Sequence, residues 1–363
     1  MVRGASCRRG REPTIETMKR IGFLSFGHWQ PGSMTPTAAD ALSQTIELAE
    51  AAESIGIDGA YVRVHHFAPQ LSSPFPLLAA IGARTRRIEI GTAVIDMRYE
   101  NPRYMAEQAA AADLISGGRL QLGISRGSPE PAQRGYEAFG HVPPDGHTDA
   151  DLARAHTRRF REALTGAAVV GSDPEVTGTT VGLAVQPQSP GLVERIWWGS
   201  GTRQTATWAA EQGMNLMSST LLSEDTGVPF AELQAEQIAL FRAAWAEAGW
   251  DREPRVSVSR SVLPIRSDLD RRLFGRRPGS SDQVGLLEGV VARFGRTYTG
   301  EPDVIAQELA GDAAVQAADT LLLTVPNQLG VEYNTGLLET IAREVAPAVG
   351  WSRHDPSAAP ALS

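Results

Sequence analysis

The sequence predicts one α/β domain, a single (β/α)₈ barrel with insertions after strands 4 and 7. Apolar, β-branched runs recur along the chain with helix-like segments between them, the pattern of parallel strands covered on both faces. The length of 363 residues suits one such barrel carrying insertions. A doubly wound open sheet would show a G-x-G-x-x-G turn after its first strand; here Phe26-Gly27-His28-Trp29 stands in that place.

Eight strands are read, at Ile21–Phe26, Gly59–His65, Ile88–Ile95, Leu120–Ser125, Arg195–Gly199, Leu216–Ser219, Arg255–Ile265 and Thr320–Val325. After the first, a helix from Ala38 to Ile55 carries Leu42, Ile46, Ala49 and Ala52 at helical spacing and stops at Gly56. After the third, Asn101-Pro102 supplies a cap and a proline at the first helical position, and Gly117-Gly118 ends that helix. Barrel function sits at the carboxyl ends of strands, which makes Ala93, Val94, Ser125 and Arg126 the first candidates.

Two stretches break the repeat. Ser128–Gly191 has one clear helix, near Leu152–Leu164, and is otherwise rich in Gly and Pro. Arg266–Arg296 has little apolar periodicity before Val284 and is read as a mobile lid on the catalytic face. Residues 1–17 look unlike the rest, either a disordered extension or sequence upstream of a start at Met18. Residues 18–350 are assigned to the barrel and 351–363, rich in Ala, Pro and Ser, to a disordered tail.

A net charge of −8 without any Lys/Arg patch argues against a nucleic-acid partner. No apolar run reaches the ~18–20 residues that cross a bilayer. The single cysteine, Cys7, excludes an intramolecular disulfide and fits a reducing cytoplasm. Neither HExxH nor C-x-x-C occurs, so no metal site is expected.

His65-His66 ends strand 2, where alternation lets at most one ring face the barrel mouth unless the strand has already ended. Gly123-Ile-Ser-Arg-Gly127 matches the G-x-S-x-G nucleophile elbow, but Gly-Ser-Pro-Glu-Pro follows it, where that motif needs an immediate helix. A hydrolase would also need a late histidine, and past His156 there is only His354. Gly199-Ser-Gly-Thr-Arg-Gln-Thr205 follows strand 5 and opens a helix. Its small residues and hydroxyls, from Gly201 and Thr202 to Thr205, suit an anion at a helix N-terminus. His28, Trp29 and Arg98 are expected around the mouth.

These segments resemble the luciferase-like flavin monooxygenases. The matching stretches are YVRVHHF at Tyr61–Phe67, TRRIEIGTAVI at Thr85–Ile95, Asn101-Pro102, Ala106–Gln108, DLISGGRLQLGISRG at Asp113–Gly127, Trp198–Gly213 and TYTGEP ending at Pro302. They run in the family's order from about Ile21 to Ala348. The resemblance implies a TIM barrel, reduced FMN as a diffusible co-substrate supplied by a separate flavin reductase, and molecular oxygen used to oxidise a small organic substrate. It maps the catalytic histidine onto His65, although the acidic residue usually before it is Val64 here. It also implies that Ser125 lies close to the flavin ring and that Arg126, Gly201, Thr202 and Thr205 bind its phosphate. A non-proline cis peptide supporting the ring maps onto Ala93–Val94. Two readings remain beside it, a deazaflavin-dependent oxidoreductase on the same fold and a non-catalytic flavin-binding partner subunit. The family pairs subunits through the helix after strand 3. Ala106, Ala109, Ala110 and Ala112 there suggest a second small-residue face, with Glu107 within it, and hence a homodimer.

Overall fold

Each apolar run forms a strand where its composition places it: β1 Arg20–Ser25, β2 Gly59–Val62, β3 Glu89–Asp96, β4 Leu120–Ser125, β5 Ile196–Ser200, β6 Asn215–Ser218, β7 Val256–Pro264 and β8 Thr320–Val325. The computed structural model describes residues 19–127, 132–224, 227–275, 282–287 and 290–353, leaving aside the side chains of 284–292. Each strand pairs in parallel with the next. The ring closes where β8 meets β1, from Thr320 opposite Arg20 to Val325 opposite Ser25. This is the (β/α)₈ barrel that the sequence predicts.

Among the described residues eight helices of nine residues or more follow the strands or lie in the connections between them, and their ends follow local chemistry. Helix α1, Ala38–Ile55, starts in a capping box between Thr37 and Asp40 and stops at Gly56, whose φ of 101° suits glycine. Helix α2 is Pro74–Arg84 and α3 is Pro102–Ser116, the latter capped by the Asn101 side chain on Arg103 N and Tyr104 N. Helix α4, Asp149–Leu164, α5, Arg203–Glu211, and α6, Phe230–Ala248, come next. Pro302–Ala310 forms α7 and Gly330–Thr340 forms α8. Among the described residues no helix is long and apolar enough to cross a membrane.

Inside the barrel Leu24, Tyr61, Trp197, Met217 and Leu322 pack together. A Cβ on Gly59 would fall 2.4 Å from the Tyr61 ring and one on Gly91 would fall 2.7 Å from it, so these glycines leave the ring its room. At the amino end of the barrel Glu89 accepts from both Arg255 amino groups (2.9 and 3.0 Å) and from Arg20 (2.8 Å). That network closes one end and leaves cavity space at the carboxyl ends of the strands.

Four expectations need correction or extension. The stretch after β7 is not merely irregular. It holds a short helix, Asp268–Phe274, and an antiparallel hairpin, Gln283–Leu287 with Val290–Phe294. Phe294 and Arg293 of that hairpin pair with Leu221 and Leu222 just after β6, which gives the segment an anchor that no periodicity revealed. The stretch after β4 holds α4 and also a 3₁₀ turn, Gly135–Phe139, and a small ribbon, Ala168–Val170 with Leu183–Ala184. The proposed extension 1–17 and the tail beyond Arg353 lie outside the described residues. Trp351, placed at the start of that tail, is in fact 4% exposed, and its indole N–H donates to Asp58 at 2.7 Å.

The fourth correction concerns α3. Ala106, Ala109, Ala110 and Ala112 are all buried within the chain itself, where α3 packs against α2 and α4. In a barrel a helix meets its neighbouring helices as well as the strands, and small residues serve both contacts. The alanine face therefore gives no argument for a second subunit.

Candidate functional site

Tyr61 and Trp197 fill the barrel, so a cavity of roughly 510 Å³ lies above them at the carboxyl ends of the strands, floored by Leu24, Met217 and Leu322. Its walls are strand ends. At the end of β3, Ala93 and Val94 line it through a cis peptide bond, where the pairing with β4 slips between Thr92 and Ile95. A Cβ on Gly199 would fall 3.0 Å from Val94 Cγ1 and 3.3 Å from Ser125 Cβ, so glycine there lets the ends of β3, β4 and β5 converge.

Ser125 ends β4, and its hydroxyl accepts from Gly127 N at 2.8 Å, turning the chain at once. Gly127 has φ 94°, and any Cβ would fall 1.9 Å from Asp96 Oδ2. Arg126, held in that turn, lines the cavity but is exposed at its rim. It is therefore available to an incoming anion without the desolvation a buried cation suffers.

The loop after β5 is fixed from behind. Thr202 caps α5, its hydroxyl accepting from Thr205 N at 3.2 Å. Thr205 Oγ1 lies 2.5 Å from Ser200 Oγ and 2.9 Å from Thr202 Oγ1. Gln237, 1% exposed on α6, donates to Thr202 O at 2.9 Å and accepts from Ser218 at 2.6 Å. Gly201, Thr202 and Thr205 all face the cavity. In this first turn Thr205 N is already held by the Thr202 hydroxyl and Arg203 N donates to Glu224 at 3.3 Å, and the positive end of the helix attracts negative charge.

On the wall after β2 the two histidines part. The strand ends at Val62, and His65 N donates to Leu71 O at 2.9 Å. His65, 9% exposed, lines the cavity. His66 turns away and stacks on Tyr99 with ring centroids 4.2 Å apart. Burial first, then the charges of Arg63, His28 and His66, push His65 down to about 4. Its imidazole is thus neutral at neutral pH, ready to take a proton or share one by hydrogen bonding. Val64, next to it, also lines the cavity and brings no charge.

All the sequence-derived candidates, His65, Ala93, Val94, Ser125, Arg126, Gly201, Thr202 and Thr205, line this one cavity. The expected mouth residues do not. Arg98 is spent on Asp96 at 2.7 Å and Asp149 at 2.8 Å, while His28 stacks on Phe26 and donates its backbone N–H to Asn327 Oδ1 at 3.1 Å. Sequence reasoning missed Arg154, which reaches the cavity from α4 beside Gln204 and Thr205. It is one of four arginines on that helix, and nothing in their spacing separates it from Arg158, Arg159 and Arg161. Among the described residues no cluster of three His, Cys, Asp or Glu side chains could hold a metal.

The family model of luciferase-like monooxygenases matches residues 18–270. The chain belongs to that family. Among curated relatives, the alkanal monooxygenase alpha chain of Photobacterium leiognathi is 25% identical over 237 residues, 64% of this chain and 61% of that one. The oxygenase component of a flavin-dependent trigonelline monooxygenase from Acinetobacter baylyi is 31% identical over 108 residues, 29% of this chain and 30% of that one. The chain thus matches less than two thirds of the length of these relatives. Solved structures share the luciferase-like fold across nearly the whole chain. The oxygenating constituent of 3,6-diketocamphane monooxygenase from Pseudomonas putida, in complex with FMN, has a TM-score of 0.64 at 17% identity and covers 91% of this chain and 98% of that one. An F420-dependent secondary alcohol dehydrogenase has a TM-score of 0.58 at 16% identity, covering 92% and 99%. At such identities the likeness speaks for the fold alone.

Proposed function

We propose that this luciferase-like protein is the oxygenase of a flavin-dependent monooxygenase system, taking reduced FMN from a separate reductase and oxidising a small organic substrate with molecular oxygen. The observation that carries the reading is the gathering of an anion-favouring loop, a rim arginine, a strand-end bulge and a neutral histidine around one cavity. The donor set fits FMN. Thr202, Thr205, the first turn of α5, Arg126 and Arg154 would hold the phosphate, and Ala93, Val94 and Ser125 would support the ring. Reduced FMN supplies the electrons with which one oxygen atom enters the substrate and the other leaves as water. The chain's own part is to bind and orient these molecules, to exclude water and to hold or accept a proton at His65. The trigonelline relative, named as an oxygenase component, supports a reductase partner, and the single cysteine fits a cytoplasmic setting.

Spectral titration of the pure protein with FMN, reduced FMN under argon and the deazaflavin coenzyme F420 tests this. Tighter binding of reduced FMN than of F420 is the expected result, and the reverse order would move the protein to the hydride-transferring relatives. In the same titration Arg126→Ala should weaken flavin binding about tenfold. Charge-assisted hydrogen bonds are worth ~1.5–3 kcal/mol, and exposure at the rim places this one at the low end. Unchanged affinity in the folded variant would remove Arg126 from the phosphate site.

We also propose a homodimer, now on different residues. Tyr104, Leu114 and Ile115 on α3 are 60%, 49% and 54% exposed, a run of large apolar side chains on one helix that suits an isologous contact. Light scattering should give a mass near twice 38.9 kDa, and Leu114→Glu with Ile115→Lys should return it to the monomer value. A monomeric parent at micromolar concentration would refute the pairing.

A further inference from the structure

The cavity does not end at the proposed phosphate site. A second cavity of roughly 480 Å³ adjoins it, lined by Arg154, Gln204, Thr205, Thr207, Trp208 and Glu211. Arg154, Gln204 and Thr205 also line the first cavity, so the two spaces meet at the phosphate end. Helix packing accounts for the opening. Helix α4 packs on α3 and α5 packs on α6, and the second cavity is a groove between α4 and α5. Gln204, Thr207, Trp208 and Glu211 stand at i, i+3, i+4 and i+7, which is one face of α5. From the Gln204 end to Glu211 that face runs about 10 Å along the helix, away from the Thr202 cap.

The groove has an aromatic wall and a cation at its entrance. Trp208 is half-buried, and its ring stands at 68° to that of buried Trp198 with centroids 4.8 Å apart. The Arg154 guanidinium lies 5.9 Å from the Trp208 centroid. Trp198 and Arg154 thus steady an indole that lines the groove. Arg154 pairs with Asp151 at 3.8 Å, too long for a hydrogen bond, and the two side chains are 39% and 42% exposed. That attraction is weak in water and leaves the fork able to donate to an anion. At the far end stands Glu211, exposed and acidic. An FMN phosphate at the first turn of α5 would leave the whole groove without an occupant.

Resting on the flavin reading above, we propose that the groove between α4 and α5 is an adenosine subsite, through which the protein binds FAD more tightly than FMN. FAD is FMN with an adenosine monophosphate joined to its phosphate, so ring and first phosphate keep their places and the added half leaves outward. Its second phosphoryl group meets Arg154, whose fork can bond two oxygens at once. The adenine lies against Trp208, since an aromatic ring offers a stacking surface to any base. Gln204, at the join, is a partner for the ribose hydroxyls. Glu211 would repel a tail of carboxylates in the same groove, which favours an uncharged base there.

The test sets FAD against FMN, each oxidised and each reduced under argon, in calorimetric titrations. FAD should bind about tenfold more tightly in the parent, toward the lower end of what stacking a base on an aromatic side chain contributes. Trp208→Ala should bring FAD to within about twofold of FMN and leave FMN near its parent value. Trp208→Phe keeps a ring and should retain part of the difference. Thr207→Trp fills the groove from a position outside the inner cavity and should weaken FAD without weakening FMN. FAD no tighter than FMN in the parent overturns the proposal, as does a preference that survives in both Trp208→Ala and Thr207→Trp. Should Trp208→Ala lower both flavins alike, Thr207→Trp decides, and an unchanged FAD affinity there is equally fatal. Each of these results leaves FMN binding, and with it the flavin reading, in place. Failure of the parent to bind either flavin in either redox state sinks that reading and the adenosine subsite together.

Discussion

Replacing His65 with alanine is expected to slow turnover about 10²–10⁴-fold, the usual contribution of a positioned acid or base, while leaving flavin affinity within about twofold of the parent. The residue touches the cavity beside Arg63 and Val64, across from the anion-favouring loop, so its removal takes nothing from the phosphate end. A depressed value of about 4 sets the pH behaviour. Neutral His65 can accept a proton throughout the neutral range, so the limb of the rate profile that it controls should fall only as pH approaches 4. It should not fall near 6.5, as a free imidazole would. Stability follows the same sign. The unfolded chain binds the extra proton already near pH 6.5 and the folded chain only near 4, so this group's contribution declines as pH falls through that window. His65→Gln fills the space without transferring protons and should be as slow as the alanine variant. Added imidazole should rescue His65→Ala in part. Full turnover in both variants would make His65 structural, and Val64 in place of the family's acid would then be the reason.

Some of this was legible in the sequence, and the reason differs from element to element. Barrel strands are covered on both faces, so they appear as unbroken apolar runs such as Ile88–Ile95 and Leu120–Ser125, which two-sided burial leaves with little ambiguity. The hairpin of Gln283–Leu287 with Val290–Phe294 escaped because its two arms are only five residues each and its pairing is with a segment far away in the chain. Its partner, Leu221–Leu222, is only two residues long. On α3 the sequence showed small residues but could not show which neighbour covers them, and α2 and α4 do so. Strand ends, turns and helix caps have local signatures, and the candidates that carry them, His65, Ala93, Val94, Ser125, Arg126, Gly201, Thr202 and Thr205, line the cavity. Arginines obey no such rule. Arg98, Arg126, Arg154 and Arg63 look alike in one dimension, and only the fold shows that Arg98 is held by Asp96 and Asp149 outside the cavity while the other three line it.

Asp312→Ala is expected to cost ~3–5 kcal/mol of stability, the effect of stranding a buried charge. Asp312 does three things at once. It accepts from Arg260 Nε at 2.8 Å and Nη2 at 3.0 Å in a pair whose side chains are 2% and 1% exposed. It receives the Tyr298 hydroxyl at 2.5 Å, tying the strand Thr297–Gly300 to β7. It also caps the short helix Ala313–Ala317 through Ala314 N and Val315 N, both at 3.0 Å. Burial alone would raise its pKa, but Arg260, Tyr298 and the Val315 amide outweigh it and hold the carboxyl below its ordinary range. Its stabilisation is therefore complete above the unfolded carboxylate value and is lost as pH drops through the lower folded one. A loss of this size is a large share of the ~5–15 kcal/mol that holds most domains folded, so the melting temperature at pH 7 should fall by many degrees. Asp312→Asn keeps the cap and the tyrosine contact but not the charge, and should fall between alanine and parent. The double variant Arg260→Met with Asp312→Leu removes both charges and should recover part of the loss, because an apolar pair leaves no ion stranded. Melting of Asp312→Ala within a degree or two of the parent would show that Arg260 finds water or another acceptor, and that the pair does not hold β7 to its neighbours.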